Sequence, residues 1–185
     1  MSLNMVIGAQ WGDEGKGRVV DLLAAQADFV ARFGGGDNAG HTVKVGDQIF
    51  KLHLVPSGVI HPQVTGIIGN GVVINPRVLL DEFSMLRERG VSITPSRIRI
   101  SYAAHIITPA HLALDKAREQ ARGSGKIGTT QRGIGPAYND KAARSGIRME
   151  SMRQNEKFAD QIMAHTEAIN HQLTAVYNAE PLDPK

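Results

Sequence analysis

Short apolar segments bounded by glycine or polar residues alternate along this chain with segments of helical pattern, and this alternation constrains the fold more than any other feature. We predict strands over residues 4–8, 28–33, 66–69 and 97–101, and helices over residues 15–26, 76–89 and 109–122. Strands that alternate with helices usually form a mainly parallel sheet, because each helix returns the chain to the edge where the next strand starts. The sequence therefore predicts an α/β fold, a mainly parallel sheet with flanking helices, in a single domain over residues 1–185.

Two other elements are predicted from local pattern. Apolar residues flank Gly46 and Asp47 in the segments 43–45 and 48–52, which is typical of a β-hairpin. A final helix is indicated by apolar residues at helical spacing, with Pro181 and Pro184 expected to end it. The apolar positions of this helix are Phe158, Ile162, Ile169, Leu173 and Val176. If Ile162, Ile169 and Leu173 pack on a further part of a longer protein, they should form an exposed apolar patch in this chain.

Composition excludes several kinds of site. The chain has no cysteine, which excludes disulfides, zinc–thiolate sites and thiol nucleophiles. No run of about 18 apolar residues is present, and no charged and then apolar leader precedes a small-residue cleavage site. We therefore expect a cytoplasmic protein that does not bind a membrane.

Basic residues are concentrated in one glycine-rich span, residues 123–146 and their surroundings, which is predicted to be mainly loop. The formal net charge is only +3, but this span contains Lys126, Arg132, Lys141, Arg144 and Arg148. Such a local excess indicates an anionic ligand, although a solvated basic loop or a nucleic-acid surface would give the same pattern. Nucleic acid is disfavoured because Tyr138 is the one aromatic residue of the span, which leaves little surface for base stacking.

The segment Gly8–Arg18 has the pattern of a phosphate-binding loop, but it departs from the standard one. Gly15 and Lys16 match the central pair of the pattern G-x-x-x-x-G-K-[ST]. Gln10 stands where the first glycine is expected, and Gly17 stands where a hydroxyl would bind Mg²⁺. The glycine order also differs from a dinucleotide-binding fingerprint. The sequence therefore predicts a modified phosphate loop.

Two carboxylates within this loop need an explanation. At about 5 Å and an effective dielectric near 20, one carboxylate repels one phosphate charge by roughly 3 kcal/mol. Because Gly17 offers no hydroxyl to a metal, Asp13 is a candidate Mg²⁺ ligand, and a carboxylate in a cleft is also a candidate general base. A helix cap at Asp13 is an equally good interpretation of these residues alone. For Glu14, a structural role is the favoured interpretation.

A second glycine loop, residues 34–42, follows the second predicted strand. It contains an amide, an imidazole and a hydroxyl at Asn38, His41 and Thr42. Ligands of parallel α/β sheets bind at the carboxyl ends of the strands, so we expect both loops to face one cleft, where Asp13 and His41 contact the same substrate. His105 and His111 lack the spacing of a helical metal pair, and we expect them to be structural or surface residues.

Five sequence blocks, taken together and in order, resemble the adenylosuccinate synthetase family. They are Gln10–Gly17, Asn38–Thr42, Pro56–Gly58, Gly69–Val73 and Gly128–Tyr138. The pair WGDEGKG and NAGHT is the most specific part of this resemblance, and the blocks extend over most of the chain. The resemblance implies a fold like that of P-loop NTPases with a modified phosphate loop. It also implies a GTP-dependent ligase that joins IMP to L-aspartate, releases GDP and phosphate, uses Mg²⁺ and forms a homodimer.

The resemblance also implies roles for individual residues. The residue matching Asp13 removes the N1 proton of the hypoxanthine ring and ligates Mg²⁺ together with the backbone carbonyl of Gly40. His41 is expected to donate to the transferring phosphoryl group, where charge develops in the transition state, and Lys16 is the cation of the phosphate loop. Thr130 matches a ligand of the IMP 5′-phosphate, and Arg144 matches an arginine that reaches IMP in the neighbouring subunit.

Two sets of ligand contacts follow by matching positions. The GTP contacts are Gly12, Asp13, Glu14, Gly15, Lys16, Gly17, Arg18, Gly40, His41 and Thr42. The IMP contacts are Asp13, Glu14, Gly15, Lys16, Asn38, Ala39, Gly40, His41, Thr130 and Arg144.

The chain departs from the family pattern in three respects. Gly34 replaces a common glutamine, and Gln131 replaces a common glycine. Family members are also more than twice as long, and their distal part supplies the guanine and aspartate contacts. The chain therefore resembles the amino-terminal part of the enzyme, and a binding module without catalysis is an alternative. A small P-loop kinase or NTPase is a third possibility, disfavoured by the missing hydroxyl after Lys16.

Overall fold

A computed structural model describes residues 2–10 and 15–184, which divide into two compact units. The first unit comprises residues 1–32, 39–68 and 78–100, and the second comprises 33–38, 69–77 and 101–185. The strands are β1 Phe29–Gly35, β2 His41–Val45, β3 Gln48–Leu52, β4 Thr65–Ile74, β5 Ile98–Ile100 and β6 His105–Ile106. The α-helices are α1 Lys16–Ala24, α2 Pro76–Glu88, α3 Pro109–Ala121, α4 Ile134–Ala143 and α5 Asn155–Ala175. Short 3-10 helices are Ser57–Ile60, Gly123–Gly125 and Met149–Arg153.

The main sheet is built on β4. In the first unit β4 pairs in parallel with β5, with Gly66 opposite Ile98. In the second unit its far end pairs in parallel with β6, with Val73 opposite His105. The order of the main path is β1, β4, β5. The prediction of an α/β fold with a mainly parallel sheet and flanking helices is confirmed.

The predicted hairpin is also confirmed. β2 and β3 pair antiparallel, with Val43 opposite Phe50, and both side chains are buried. Gly46, in the turn, has φ 58°, a left-handed conformation that glycine adopts without steric cost. Because the turn has two residues, the register places His41 opposite Leu52.

A buried carboxylate holds the chain after β3. Glu82 of α2 accepts hydrogen bonds from the backbone N–H groups of His53, of Leu54 at 3.0 Å and of Val55 at 2.9 Å. Leu54 and Val55 are fully buried. Buried backbone N–H groups need acceptors, and Glu82 supplies them where the chain has left the β-ladder.

The second unit has its core where α5 packs on α3. Ile169 and Leu173 are buried against Ala110, Leu114 and Ala117, which lie on one face of α3. Ile169 and Leu173 therefore do not form the exposed patch that was expected if they packed on a further part of a longer protein, because α3 supplies a complementary apolar face within the chain. Ile162 is half-buried.

The end of α5 also differs from the prediction. The helix ends at Ala175, before either proline, and Asn178 then takes a left-handed conformation with φ 48°. Asparagine tolerates this conformation better than most residues and is a common helix terminator. Pro181 and Pro184 therefore do not end the helix.

The predicted strand over residues 4–8 is absent from the described structure. Residues 4–8 have no regular secondary structure, and Met5 and Ile7 are 71% and 68% exposed. An apolar run forms a strand only where a neighbouring strand offers backbone partners, and no described residue pairs with this segment in a β-ladder.

The span 123–146 contains more helix than was expected. Helix α4 occupies Ile134–Ala143, and Pro136 lies in its first turn. Proline is well tolerated there, because the first N–H groups of a helix have no partner within the helix. The helix was not predicted because the many glycines of this span are typical of a loop.

None of the helices described for residues 2–10 and 15–184 combines the length and apolar character needed to cross a bilayer.

Candidate functional site

Residues 8–10 and 15–18 of the first glycine loop are described, whereas Gly12, Asp13 and Glu14 lie outside the described residues. Gly15 caps the start of α1 with φ 84°, a left-handed conformation. Lys16, Gly17 and Arg18 form the first turn of the helix. Backbone N–H groups at a helix start, together with the helix dipole, attract anions.

The end of the second glycine loop, residues 40–42, meets this helix start within the first unit. A Cβ atom on Gly17 would lie 3.1 Å from the Cβ of His41, which is closer than most real contacts. Gly17 therefore allows the first turn of α1 to lie directly against the start of β2, where His41 and Thr42 are found. The relation of Asp13 to His41 stays a prediction.

His41 is held in its neutral form. The pKa of His41 is lowered from 6.5 to about 4, chiefly by burial and to a smaller extent by the nearby Arg32 guanidinium and the His53 imidazole. At neutral pH the ring therefore has one N–H donor and one nitrogen acceptor. A neutral imidazole beside a helix start can donate one hydrogen bond to an anion through its single N–H.

His53 is a neighbour of the site that sequence reasoning missed. A Cβ atom on Gly40 would lie 3.0 Å from Nε2 of His53, so glycine lets the backbone at position 40 lie directly against this ring. The carbonyl of His53 accepts from Arg32, and its Nδ1 lies 3.4 Å from a carboxylate oxygen of Glu82. The hairpin register was the available signal, because a partner for Leu52 at position 41 places residue 53 beside residue 40.

The remaining predicted site residues lie in different surroundings. Asn38, in the second unit, and Ala39, in the first, are exposed turn residues. Thr130 and Arg144, both in the second unit, are also exposed. Arg144 follows α4 with φ 63° and lines a cavity of about 840 Å³ together with Lys141 and Arg148.

Two residues of the basic span hold the part of the second glycine loop that lies in the second unit, around residues 35–37. Arg132 donates to the backbone carbonyl of Asp37, a residue that is almost fully buried. The hydroxyl of Tyr138 accepts from the N–H of Gly35 at 2.8 Å and donates to the carbonyl of Gly71 at 2.7 Å. Both residues belong to the block that resembles the family, but their spacing gave no sign of these long-range contacts.

The two departures from the family pattern have different structural consequences. Gln131 has φ 54°, a conformation that favours the glycine common at this position. Among the residues that the structure describes, a Cβ atom on Gly34 would meet only the carbonyl oxygen of Gly71, at 3.9 Å, which leaves room there for a side chain.

One cluster offers possible metal ligands. His111, Asp140 and His165 each provide a ligand atom, and these atoms lie within 4.8 Å of one another. However, Nδ1 of His111 accepts from the backbone N–H of Thr108 at 2.9 Å, so its Nε2 carries the proton and donates to Asp140 at 3.0 Å. His165 reaches the same carboxylate oxygen at 2.7 Å. This is a hydrogen-bonded network among helices, and it gives His111 the structural role that was one of its two expected roles.

The parallel sheet, the glycine-led start of α1 and the neutral imidazole beside it place the chain among α/β proteins with glycine loops suited to anions. A family model described as adenylosuccinate synthetase matches residues 5–185. The chain belongs to the adenylosuccinate synthetase family.

Relatives support this assignment along the whole chain. An adenylosuccinate synthetase of Pelotomaculum thermopropionicum is 54% identical over 99% of this chain, and one of Carboxydothermus hydrogenoformans is 51% identical over 97%. The chain spans only 42% of the length of each of these relatives.

Solved structures agree with the fold. The fully ligated adenylosuccinate synthetase of Plasmodium falciparum has a TM-score of 0.83 at 37% identity, with 96% of this chain and 40% of that chain covered. A succinoaminodeoxyadenylate synthetase of cyanophage S-2L, bound to dGMP and dATP, has a TM-score of 0.60 at 24% identity. The similarity covers 80% of this chain and 41% of the cyanophage chain, and it supports the fold alone.

Proposed function

We propose that this chain is the amino-terminal part of a GTP-dependent carbon–nitrogen ligase of AMP biosynthesis. The enzyme joins IMP to L-aspartate, forms adenylosuccinate, and releases GDP and phosphate. The observation that carries the proposal is the contact of Gly17 with His41, which joins the two most specific family segments in one described site. The complete enzyme acts in the cytoplasm as a homodimer.

The reaction begins with removal of a proton from the nucleobase. The carboxylate of Asp13 takes the N1 proton of the hypoxanthine ring, and the electron pair leaves charge on the 6-oxygen. This oxygen attacks the γ-phosphorus of GTP, and the bond from that phosphorus to the β-phosphate oxygen breaks. The amine of L-aspartate then attacks C6, phosphate leaves with the 6-oxygen, and the amine loses a proton.

His41 stabilises the phosphoryl transfer as a neutral donor. Its lowered pKa keeps one ring nitrogen protonated and the other not, so it donates one hydrogen bond to a phosphoryl oxygen. Glycines at positions 17 and 40 keep side chains away from this ring and from His53. The backbone can therefore approach the phosphates closely.

The GTP phosphates bind at the start of α1. Residues 12–18 and 40–42 form this part of the site, and Lys16 provides the positive charge. The helix dipole adds a favourable interaction with the anion, in addition to the backbone N–H groups.

Mg²⁺ fits the donor chemistry proposed for this site. The carboxylate of Asp13 and the backbone carbonyl of Gly40 are hard oxygen donors, which Mg²⁺ prefers, and Gly17 supplies no hydroxyl in their place. When bound, the ion neutralises charge on the phosphates. Asp13 then has two roles, which explains an acid within a phosphate loop.

IMP is recognised by residues of the two glycine loops and of the basic span. Residues 13–16 and 38–41 contact the nucleotide, and Thr130 donates to its 5′-phosphate. Arg144 reaches the IMP bound by the partner subunit, which is consistent with its exposed position after α4.

The proposal is tested by calorimetric titration with GTP and IMP, beside an assay for phosphate release and adenylosuccinate. We expect both nucleotides to bind, and Asp13→Asn to retain this binding. Asp47→Asn, in the exposed hairpin turn, is the matched control. In a full-length protein, phosphate release that depends on IMP and L-aspartate should be lost in Asp13→Asn and kept in Asp47→Asn. Turnover near the wild-type rate in Asp13→Asn would exclude Asp13 as the base.

A catalytically incomplete nucleotide-binding fragment is a second candidate function for the chain alone. The observation that favours it is that the chain spans 42% of the length of its relatives. Binding of GTP and IMP without product would support it, whereas phosphate release from GTP without IMP would indicate an NTPase instead.

A further inference from the structure

Two buried carboxylates of α3 hold the two ends of the segment Gly128–Gly133. One carboxylate oxygen of Glu119 accepts from the N–H of Gly128 at 2.6 Å and from that of Thr129 at 3.4 Å. Asp115, one helical turn earlier, accepts from the N–H of Gly133 at 2.9 Å. Glu119 and Asp115 are only 3% and 8% exposed. The segment is therefore fixed at both ends by one helix.

Glu119 makes these contacts as an anion. The hydrogen bond from Gly128 lowers the pKa of Glu119, and the bond from Arg122 at 3.1 Å adds to the effect. Hydrogen bonds from N–H groups to an ionised carboxylate are stronger than those to a neutral acceptor. Because the carboxylate is buried, its protein partners replace the water that it would otherwise bind.

The segment needs such support because its backbone is unusual. Gly128 and Gly133 have φ 78° and 73°, and Gln131 between them has φ 54° without being glycine. A Cβ atom on Gly133 would lie 2.9 Å from the Cβ of His111. Left-handed backbone at a residue other than glycine persists where the surrounding structure enforces it.

The same contacts restrict how the segment can bind an anion. Glu119 occupies the N–H groups of Gly128 and Thr129, so these groups are not available to a phosphate. Thr130 is exposed, and its hydroxyl and N–H have no hydrogen-bond partner within residues 2–10 and 15–184. The donors that remain for an anion therefore begin at Thr130.

We propose that Asp115 and Glu119 are positioning residues that pre-form the loop Gly128–Gly133, so that Thr130 presents its hydroxyl and N–H to a phosphate monoester. The identity of that ligand as the IMP 5′-phosphate rests on the proposed function. The holding of the loop by the two carboxylates does not.

The first test measures the loop without a ligand. Amide hydrogen exchange by NMR should show Gly128 and Gly133 protected and Thr130 unprotected. Glu119→Ala should speed exchange at Gly128 by about tenfold and leave Gly133 unchanged, and Asp115→Ala should do the reverse. Glu82→Ala is the matched control, because Glu82 is an equally buried carboxylate that accepts backbone N–H groups, but in the other unit. It should leave residues 128–133 unchanged.

The second test measures the effect on ligand binding. Glu119→Ala should weaken IMP binding by about tenfold or more while GTP affinity changes less than about twofold. Glu119→Gln keeps an acceptor oxygen for the Gly128 N–H, so it should recover part of the IMP affinity. A purely structural role would instead lower thermal stability with equal effects on both nucleotides.

The two proposals fail in different ways. Equal exchange rates at Gly128 and Thr130 in the wild-type chain would overturn the positioning role, whatever the ligand. Unchanged IMP affinity in Glu119→Ala, in a chain that binds IMP, would overturn it as well. Protected amides in a chain that binds no IMP would keep the positioning role and refute the proposed function.

Discussion

Replacement of His41 by glutamine should remove a specific part of the acid sensitivity of folding. The pKa of His41 is 6.5 when the chain is unfolded and about 4 when it is folded, because burial disfavours the charged ring and Arg32 repels it. As pH falls, the unfolded chain therefore binds a proton at this residue before the folded chain does. The stability that neutral His41 provides is complete above pH 6.5 and is lost as pH falls toward 4.

The size of this effect follows from the same pKa values. A fall from 6.5 to about 4 corresponds to about 3 kcal/mol at about 1.4 kcal/mol per pH unit. His105 and His111 also have lowered pKa values, chiefly through burial, and hydrogen bonds from His111 and His165 lower the pKa of Asp140. Those groups are present in both proteins, so the difference between wild type and His41→Gln isolates His41.

The assay measures the free energy of unfolding by urea at several pH values between 7 and 4, with circular dichroism as the signal for unfolding. Between these limits the wild type should lose about 3 kcal/mol more unfolding free energy than His41→Gln. His171→Gln, at an exposed position on α5, controls for the loss of a histidine elsewhere. If the free energies of wild type and His41→Gln fall in parallel, within about 1 kcal/mol, the reasoning that His41 is held neutral is refuted.

Three further changes test the local geometry by thermal or urea unfolding. Gly133→Ala should cost about 1–3 kcal/mol more than Gly15→Ala, because both add left-handed strain but only the Cβ at position 133 overpacks against His111. Among the described residues, the Cβ added at position 15 meets nothing within 4 Å. Equal losses in the two variants would contradict this. Gln131→Gly should raise stability by up to about 1 kcal/mol, because it relieves left-handed strain, and a loss would show that the side chain is needed. Tyr138→Phe should cost about 1–3 kcal/mol, because it leaves the N–H of Gly35 and the carbonyl of Gly71 without their hydroxyl partner, and a neutral result would show that water replaces it.

Local signals predicted most of the fold. Pro76 and Pro109 mark the starts of α2 and α3, and each helix ends within one residue of the predicted end. The hairpin was predicted except for the first two residues of β2, because its turn and most of its strands are encoded close together in the sequence. These elements have in common that the deciding contacts are near in sequence.

Elements that depend on distant partners were predicted less well. Residues 4–8 have the composition of a strand, but composition does not supply the neighbour that a strand requires. Ile169 and Leu173 pack on α3, some sixty residues away, and the helical spacing of α5 could not reveal which surface it meets.

The candidate site shows the same division. The motif residues around Lys16 and His41 were found from the sequence, and the contact of Gly17 with His41 agrees with two loops in one place. Burial keeps His41 neutral, and Arg32 and His53 add to the effect. The contacts of these two residues join different elements and leave no spacing pattern in the sequence. Glu119 was missed for the same reason, since a carboxylate on a helix is usually solvated.

The two-residue turn of the hairpin has a consequence for how this part of the protein can vary. Removal of one residue from Gly46–Asp47 would exchange the faces of β3 relative to β2, which would turn Phe50 toward solvent and carry His53 away from Gly40. Evolution can therefore change the identity of the turn residues more freely than their number, and indels at this hairpin tip should be rare among active homologues.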